Sequence, residues 1–179
     1  MSISRNPTNL HDICAEQPKT LHVHIGEVKI AKRQEHLKAI LGSCVGIGLI
    51  WRQEKKCGLA HCLLPSAPEK SCEIGGRFVD QAIRSLVALM KIKKSDVADV
   101  HAIVAGGGNM TSFLTSRRRP MIGEANFQAA VSGLKQIGMR IVHADGGGEL
   151  GRQLTVDAQR FTYDVQFISR LPIQKKDSR

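Results

Sequence analysis

VGIGLIWRQEKKCGLAHCLL, residues 45–64, is the stretch that decides the fold: two short apolar runs in β-favouring residues flank a polar turn at Arg52 to Lys56. Val45 to Trp51 and Gly58 to Leu64 read as neighbouring strands, the second stopped by Pro65, which has no N–H to continue a ladder. Toward the N-terminus, Leu37 to Leu41 is a short apolar segment broken by Gly42-Ser43. Before it, Leu21-His22-Val23-His24-Ile25 alternates apolar with polar, and past Gly26 the phase shifts to Val28 and Ile30. That pattern predicts one strand carrying a glycine bulge.

Toward the C-terminus, apolar residues recur at helical spacing from Phe78 to Met90 and leave Asp80, Gln81 and Arg84 on the opposite face. Val100 to Ala105 reads as a buried strand ending in Gly106-Gly107-Gly108, Glu124 to Ile137 as a second helix, and Met139 to Ala144 as a strand. Strand, helix, strand predicts a crossover with parallel pairing. Arg152 to Ala158 and Phe161 to Ile168 alternate across a short turn, as an antiparallel hairpin does. The expected fold is a layered α/β (α+β) single domain: a mixed, partly antiparallel β-sheet or sandwich covered by two main helices. Its expected limits are a flexible N-terminal tail at 1–20, a folded domain at 21–170 and a basic C-terminal tail at 171–179.

Net charge and cysteine usage narrow the function classes. Twenty-six Lys and Arg against 16 Asp and Glu give a formal +10, with basic clusters at Lys91 to Lys94, Arg117 to Arg119 and Lys175 to Arg179. An acidic partner follows from that balance, and Arg117 to Arg119 is either a solvated loop or a contact for one. A nucleic-acid binder is the alternative from another class, but 4% aromatic content offers few stacking platforms and no nucleic-acid motif is present. The polar first 20 residues lack the apolar core of a signal peptide and the longest apolar run is too short to span a bilayer, so a soluble cytoplasmic protein without membrane insertion is expected.

Five cysteines, Cys14, Cys44, Cys57, Cys62 and Cys72, form no Cys-x-x-Cys pair. On one strand, Cys57, His61 and Cys62 would point to both faces, which is poor geometry for a shared zinc. His22 and His24 share a face without a third ligand placed by sequence. The glycine runs at 106–108 and 146–148 lack the Lys-Ser/Thr of a phosphate loop and read as tight turns, with Asn109, Asn126 and Arg152 beside them either capping those turns or lining a site.

The chemistry concentrates at Leu41-Gly42-Ser43-Cys44-Val45 and Gly58-Leu59-Ala60-His61-Cys62-Leu63-Leu64-Pro65. A cysteine where a Gly-Ser break meets a strand exposes its sulfur while adjacent N–H groups point one way, as an oxyanion site requires. Gly46 and Gly48 follow on the same face, and their missing side chains would leave room for a substrate there. A hairpin about Arg52 to Lys56 returns His61 roughly level with Cys44, within reach to take the thiol proton as an imidazole base and then stabilise the thiolate as imidazolium. On spacing alone the same residues also read as a small buried hydrophobe and a satisfied strand histidine.

These two motifs, in order with Phe78-Val79-Asp80-Gln81-Ala82, Ala105-Gly106-Gly107-Gly108-Asn109-Met110, Ile122-Gly123-Glu124-Ala125-Asn126 and Gly147-Gly148-Glu149-Leu150-Gly151-Arg152, resemble the chemoreceptor glutamine deamidase family, CheD. The likeness runs from about Leu21 to Phe167. It implies a cysteine hydrolase with Cys44 as nucleophile and His61 as general base, acting on glutamines in the cytoplasmic helices of methyl-accepting chemotaxis receptors, with no metal or organic cofactor. It also implies a CheC-type phosphatase as a second partner.

Two positions depart from the family pattern. Similar proteins carry a histidine-orienting threonine six positions before the cysteine, where this chain has Lys38, a donor that cannot accept from imidazolium. Ser43 or a backbone carbonyl would then orient His61, with Gly42 and Ser43 supplying or shaping the oxyanion site. Alternatively, the chain is a weak or inactive adaptor that binds receptors or the phosphatase. The final hairpin turn reads Gln159-Arg160-Phe161 in place of Thr-Gly, which touches a turn and not the chemistry.

Overall fold

The structure is a computed structural model that describes residues 18–69, 73–109 and 122–168. The two expected tails fall largely outside the described residues, as do Arg117 to Arg119, Met110, Cys14 and Cys72. In chain order the elements are β1 (Lys19–His22), β2 (Val28–Ala31), β3 (Glu35–Leu41), β4 (Val45–Trp51), β5 (Lys56–Cys62), α1 (Val79–Met90), β6 (His101–Gly106), α2 (Ile122–Gln136), β7 (Arg140–Gly146), β8 (Gly151–Asp157) and β9 (Thr162–Ile168). No described helix is long and apolar enough to cross a membrane.

Two sheets stack beneath the helices. One has the order β2-β5-β4-β6-β7, the other β1-β3-β8-β9. The quoted stretch forms the hairpin β4-β5 at the heart of the first sheet, pairing Val45 with Cys62 and Gly46 with His61. β6, α2 and β7 make the expected crossover, with β6 and β7 parallel. β8 and β9 make the expected antiparallel hairpin, and β8 also pairs with β3.

The first 14 described residues depart from expectation. Residues 21–30 are not one bulged strand: β1 lies parallel to β3 in the four-stranded sheet, whereas β2 lies antiparallel to β5 in the other. Gly26 therefore lies in the turn by which the chain changes sheets, its N–H donating to the His61 carbonyl at 2.8 Å. A phase shift in an alternating pattern has the same appearance whether one strand bulges or two strands part company.

Each face of the five-stranded sheet has its own core. On one side Val45, Ile47 and Leu49 of β4 pack with Val79, Ala82, Ile83, Leu86 and Met90 of α1 and with Ala130 and Leu134 of α2. The three-and-four spacing of those helical residues is what brings them to one face. On the other side Leu59 and Ile103 meet Leu37, Leu41, Leu154 and Val156 of the four-stranded sheet.

Gly46 and Gly48 face this second core, and they do not leave a bare surface for substrate. A Cβ on Gly46 would lie 2.9 Å from Leu41 Cδ1 and 3.2 Å from Leu154 Cδ2, and one on Gly48 would lie 3.1 Å from Val156 Cγ2. The glycines let the second sheet close on the first. Leu154 is fully buried at this closure. Truncation to alanine there opens a cavity between the sheets, so Leu154→Ala is expected to cost about 2–5 kcal/mol, measured as a lowered denaturant midpoint at unchanged slope. An unchanged midpoint would contradict the two-sheet core.

Candidate active site

Gly42, Ser43 and Cys44 connect β3 to β4, crossing from one sheet to the other, and each of their three carbonyls is held. Gly108 N–H donates to the Gly42 oxygen at 2.8 Å and Gly107 N–H to the Cys44 oxygen at 2.8 Å. Between them the Ser43 oxygen accepts from Asn126 Nδ2 at 3.0 Å. The glycine run is therefore a clamp on the cysteine loop. Gly106 has φ 112° and a Cβ on it would collide with the Cys44 carbonyl oxygen; Gly107 has φ 66° and packs against the backbone of Gly123 in α2. Both the left-handed backbone and the close approach require glycine.

In a trans peptide the N–H points opposite to the preceding C=O. Holding the Gly42 and Ser43 carbonyls therefore directs the Ser43 and Cys44 N–H groups the other way, and among the described residues neither has an acceptor. Two unengaged N–H groups beside a sulfur are the donors that an oxyanion requires.

His61 stands on β5 opposite Gly46, and Leu59 two residues before it points into the inter-sheet core. Alternation places the imidazole on that same face; Cys44 precedes β4, in the bend where the chain crosses between the sheets. His61 is 4% exposed and Cys44 6%. The ring is oriented by a backbone carbonyl: Nδ1–H donates to the Val23 oxygen at 3.0 Å. With the proton on Nδ1, Nε2 carries the lone pair, and it is buried without a hydrogen-bond partner.

No hydrogen bond joins the Cys44 sulfur to His61 at rest. Burial pushes the Cys44 thiol above its ordinary range. Burial also pulls His61 below the ordinary imidazole value, against the opposing effect of the Val23 hydrogen bond. The resting pair is a neutral thiol and a neutral imidazole, not the thiolate and imidazolium that proximity alone suggests. Cys57 and Cys62 are buried free thiols on β5; burial first, then Asp157, raises Cys57 to about 12, and burial raises Cys62 further.

Lys38 lies between Leu37 and Ala39 of β3, which are both buried in the inter-sheet core, so its side chain projects from the outer face of the four-stranded sheet. It enters the site only through its backbone, where its carbonyl accepts from Val23 N–H at 2.8 Å. Ser43 likewise contributes its backbone. Arg152 braces the loop behind the glycine clamp: Nη1 donates to the Gly147 and Leu150 oxygens at 2.6 and 3.0 Å, and Nη2 to Asp145 at 2.9 Å. His22 and His24 are exposed with their rings 6.4 Å apart. Asn126 is the site residue that composition does not single out. It falls in register with Ala130 and Leu134 on the buried stripe of α2, and a polar residue on an apolar stripe is the signal that marks it.

The sequence profile of CheD chemotactic sensory transduction proteins matches residues 63–167, well over half of the chain. A Bdellovibrio bacteriovorus protein described as a probable chemoreceptor glutamine deamidase CheD is 40% identical over 78% of this chain and 89% of its own length. This chain belongs to the CheD family. A Ruegeria relative with the same activity in its description is 35% identical over 84% of this chain and 93% of its own, and a CheD of Methanococcus maripaludis is 32% identical over 76% and 87%. Among solved structures, the Bacillus licheniformis hypothetical protein YfiH aligns at a TM-score of 0.36 and 12% identity over 64% of this chain and 49% of that one. The CheD profile match takes in the glycine clamp, Asn126 and Arg152 and begins two residues after His61.

A neutral buried thiol titrates late. The rate of Cys44 alkylation by iodoacetamide, followed by peptide mass mapping, is expected to rise with pH to a midpoint above the ordinary thiol range. A midpoint below neutrality would reveal a resting thiolate and contradict the neutral pair.

Proposed function

We propose that this CheD protein deamidates glutamine side chains in the cytoplasmic helices of chemoreceptors, releasing ammonia and leaving glutamate, through a thioester on Cys44. Family membership and the relatives' descriptions support the substrate and the reaction. The observation that carries the residue roles is the buried, unpartnered Nε2 of His61, which stands opposite Gly46, two residues beyond Cys44. A lone pair oriented by the Val23 carbonyl is available to accept a proton.

The steps follow from that geometry. As sulfur attacks the side-chain amide carbon, the thiol proton passes to His61 Nε2, so the costly buried thiolate never has to stand alone. The amide oxygen becomes an oxyanion and accepts from the Ser43 and Cys44 N–H groups. Collapse breaks the C–N bond, and the imidazolium proton leaves with ammonia. Water then attacks the thioester while His61 takes its proton, the C–S bond breaks, and the sulfur recovers its hydrogen as glutamate departs.

Orientation of His61 by a backbone carbonyl also bears on the adaptor reading. Lys38 removes a threonine hydroxyl, but the Val23 carbonyl supplies the acceptor that imidazolium Nδ1–H needs. The loss at Lys38 is therefore compatible with turnover. The family resemblance alone supports a CheC-type phosphatase as a second partner and the cytoplasm as the place of reaction.

Cys44→Ala is expected to abolish the mass increase that accompanies conversion of amide to acid in a purified receptor cytoplasmic domain. His61→Gln is expected to lower kcat by about a hundredfold or more. Because burial lowers the base's affinity for protons, wild-type kcat/KM should hold constant down through pH 7 and fall only below the ordinary imidazole range. Deamidation that persists in Cys44→Ala refutes the assignment.

A further inference from the structure

Besides His61, three buried polar side chains lie among the described residues: Ser85, Asn126 and Arg152. Ser85 exchanges hydrogen bonds with the backbone of Gly75, and Arg152 braces the loop before β8. Asn126 alone reaches the cysteine loop. We propose that Asn126 is a positioning residue for the reaction, presetting the Cys44 N–H as oxyanion donor by its grip on the Ser43 carbonyl. The proposal rests on Cys44 being the nucleophile.

Both amide hydrogens of Asn126 are committed. Nδ2 donates to the Ser43 oxygen at 3.0 Å and to the Leu63 oxygen at 2.9 Å. Since both partners are carbonyls, the nitrogen must face them, and the amide can take no other orientation. Oδ1 is buried with no partner, so the hydrogen-bonding contribution of this side chain consists of those two N–H groups. An apolar side chain of the same size would fill the space beside Ala130 without leaving an orphaned acceptor.

Each grip acts on one half of the site. Ser43 immediately precedes Cys44, and fixing its carbonyl turns the Cys44 N–H away from α2. Leu63 follows His61 by two residues, and its own N–H is held by the Arg77 carbonyl at 2.9 Å. One amide thus sets the spacing between the nucleophile's loop and the end of the base's strand, across 83 and 63 positions of sequence. Asn126 touches no reacting atom in this account. It fixes the direction of a donor that does.

The test uses Asn126→Leu and Asn126→Ser in the full chain, with two readouts. Deamidation of a receptor cytoplasmic domain requires an oxyanion site, whereas displacement of iodide from iodoacetamide by Cys44 forms no oxyanion. In both variants kcat should fall about 100-fold with KM changed by no more than about twofold, while the alkylation rate stays within about threefold and keeps its pH midpoint. Asn126→Ser serves on its own if the leucine variant does not fold. Parallel collapse of alkylation and kcat would mean general loosening of the site and would overturn the proposal, as would an unchanged kcat. Cys44→Ala is assayed alongside: activity surviving in it sinks the nucleophile assignment, whereas full activity in the Asn126 variants beside an inactive Cys44→Ala sinks the role of Asn126 alone.

Discussion

Three consecutive carbonyls, those of Gly42, Ser43 and Cys44, are each held by a donor from a distant part of the chain, two from the glycine run after β6 and one from Asn126 in α2. The rest of the site depends on this constraint. A loop between two sheets would ordinarily rotate its peptides to satisfy its own N–H groups. Here the carbonyls are committed, so the N–H groups of Ser43 and Cys44 point away from those donors and have no acceptor among the described residues. Preorganised donors of this kind need no rearrangement when charge develops, which is the source of their catalytic value. The clamp in turn demands glycine at 106 and 107, where any side chain would displace the backbone it holds.

The sandwich holds the proposed base. Gly46 and Gly48 allow the four-stranded sheet to close on the five-stranded one, and His61 stands at the end of that closure, where it is desolvated but still tied to the Val23 carbonyl. Burial lowers its affinity for protons and raises that of the Cys44 thiol, so both groups rest neutral. A neutral pair suits the proposed reaction, in which the buried sulfur gains charge only as a substrate amide arrives. It also protects the thiol from oxidants, which attack the thiolate.

Much of this was legible in the residues themselves. The β4-β5 hairpin, α1, the β6-α2-β7 crossover and the β8-β9 hairpin each carry a strong period and clear punctuation, and local pattern suffices for them. Hairpin spacing also brought His61 level with the start of β4, opposite Gly46 and two residues from Cys44. What was hidden is long-range. Nothing local distinguishes a bulge at Gly26 from a change of sheet, because both shift the alternation by one. Glycines that expose a face and glycines that admit a second sheet look alike until the partner, here Leu41 and Leu154, is known. Asn126 was readable only as a motif residue, since its partners Ser43 and Leu63 lie 83 and 63 positions away. The orienting group for His61 is a carbonyl, and every residue has one, so no side-chain identity could reveal that Val23 provides it.

The central claim is a covalent bond between Cys44 and the receptor. Its most direct measurement is rapid acid quench of the wild-type protein with a receptor cytoplasmic domain in the first turnover, followed by peptide mass spectrometry. The account predicts the Cys44 peptide joined to a receptor glutamine peptide, with the loss of one ammonia, through a bond that hydroxylamine cleaves. Deamidation proceeding with no adduct at Cys44, or with an adduct at a different residue, would contradict it.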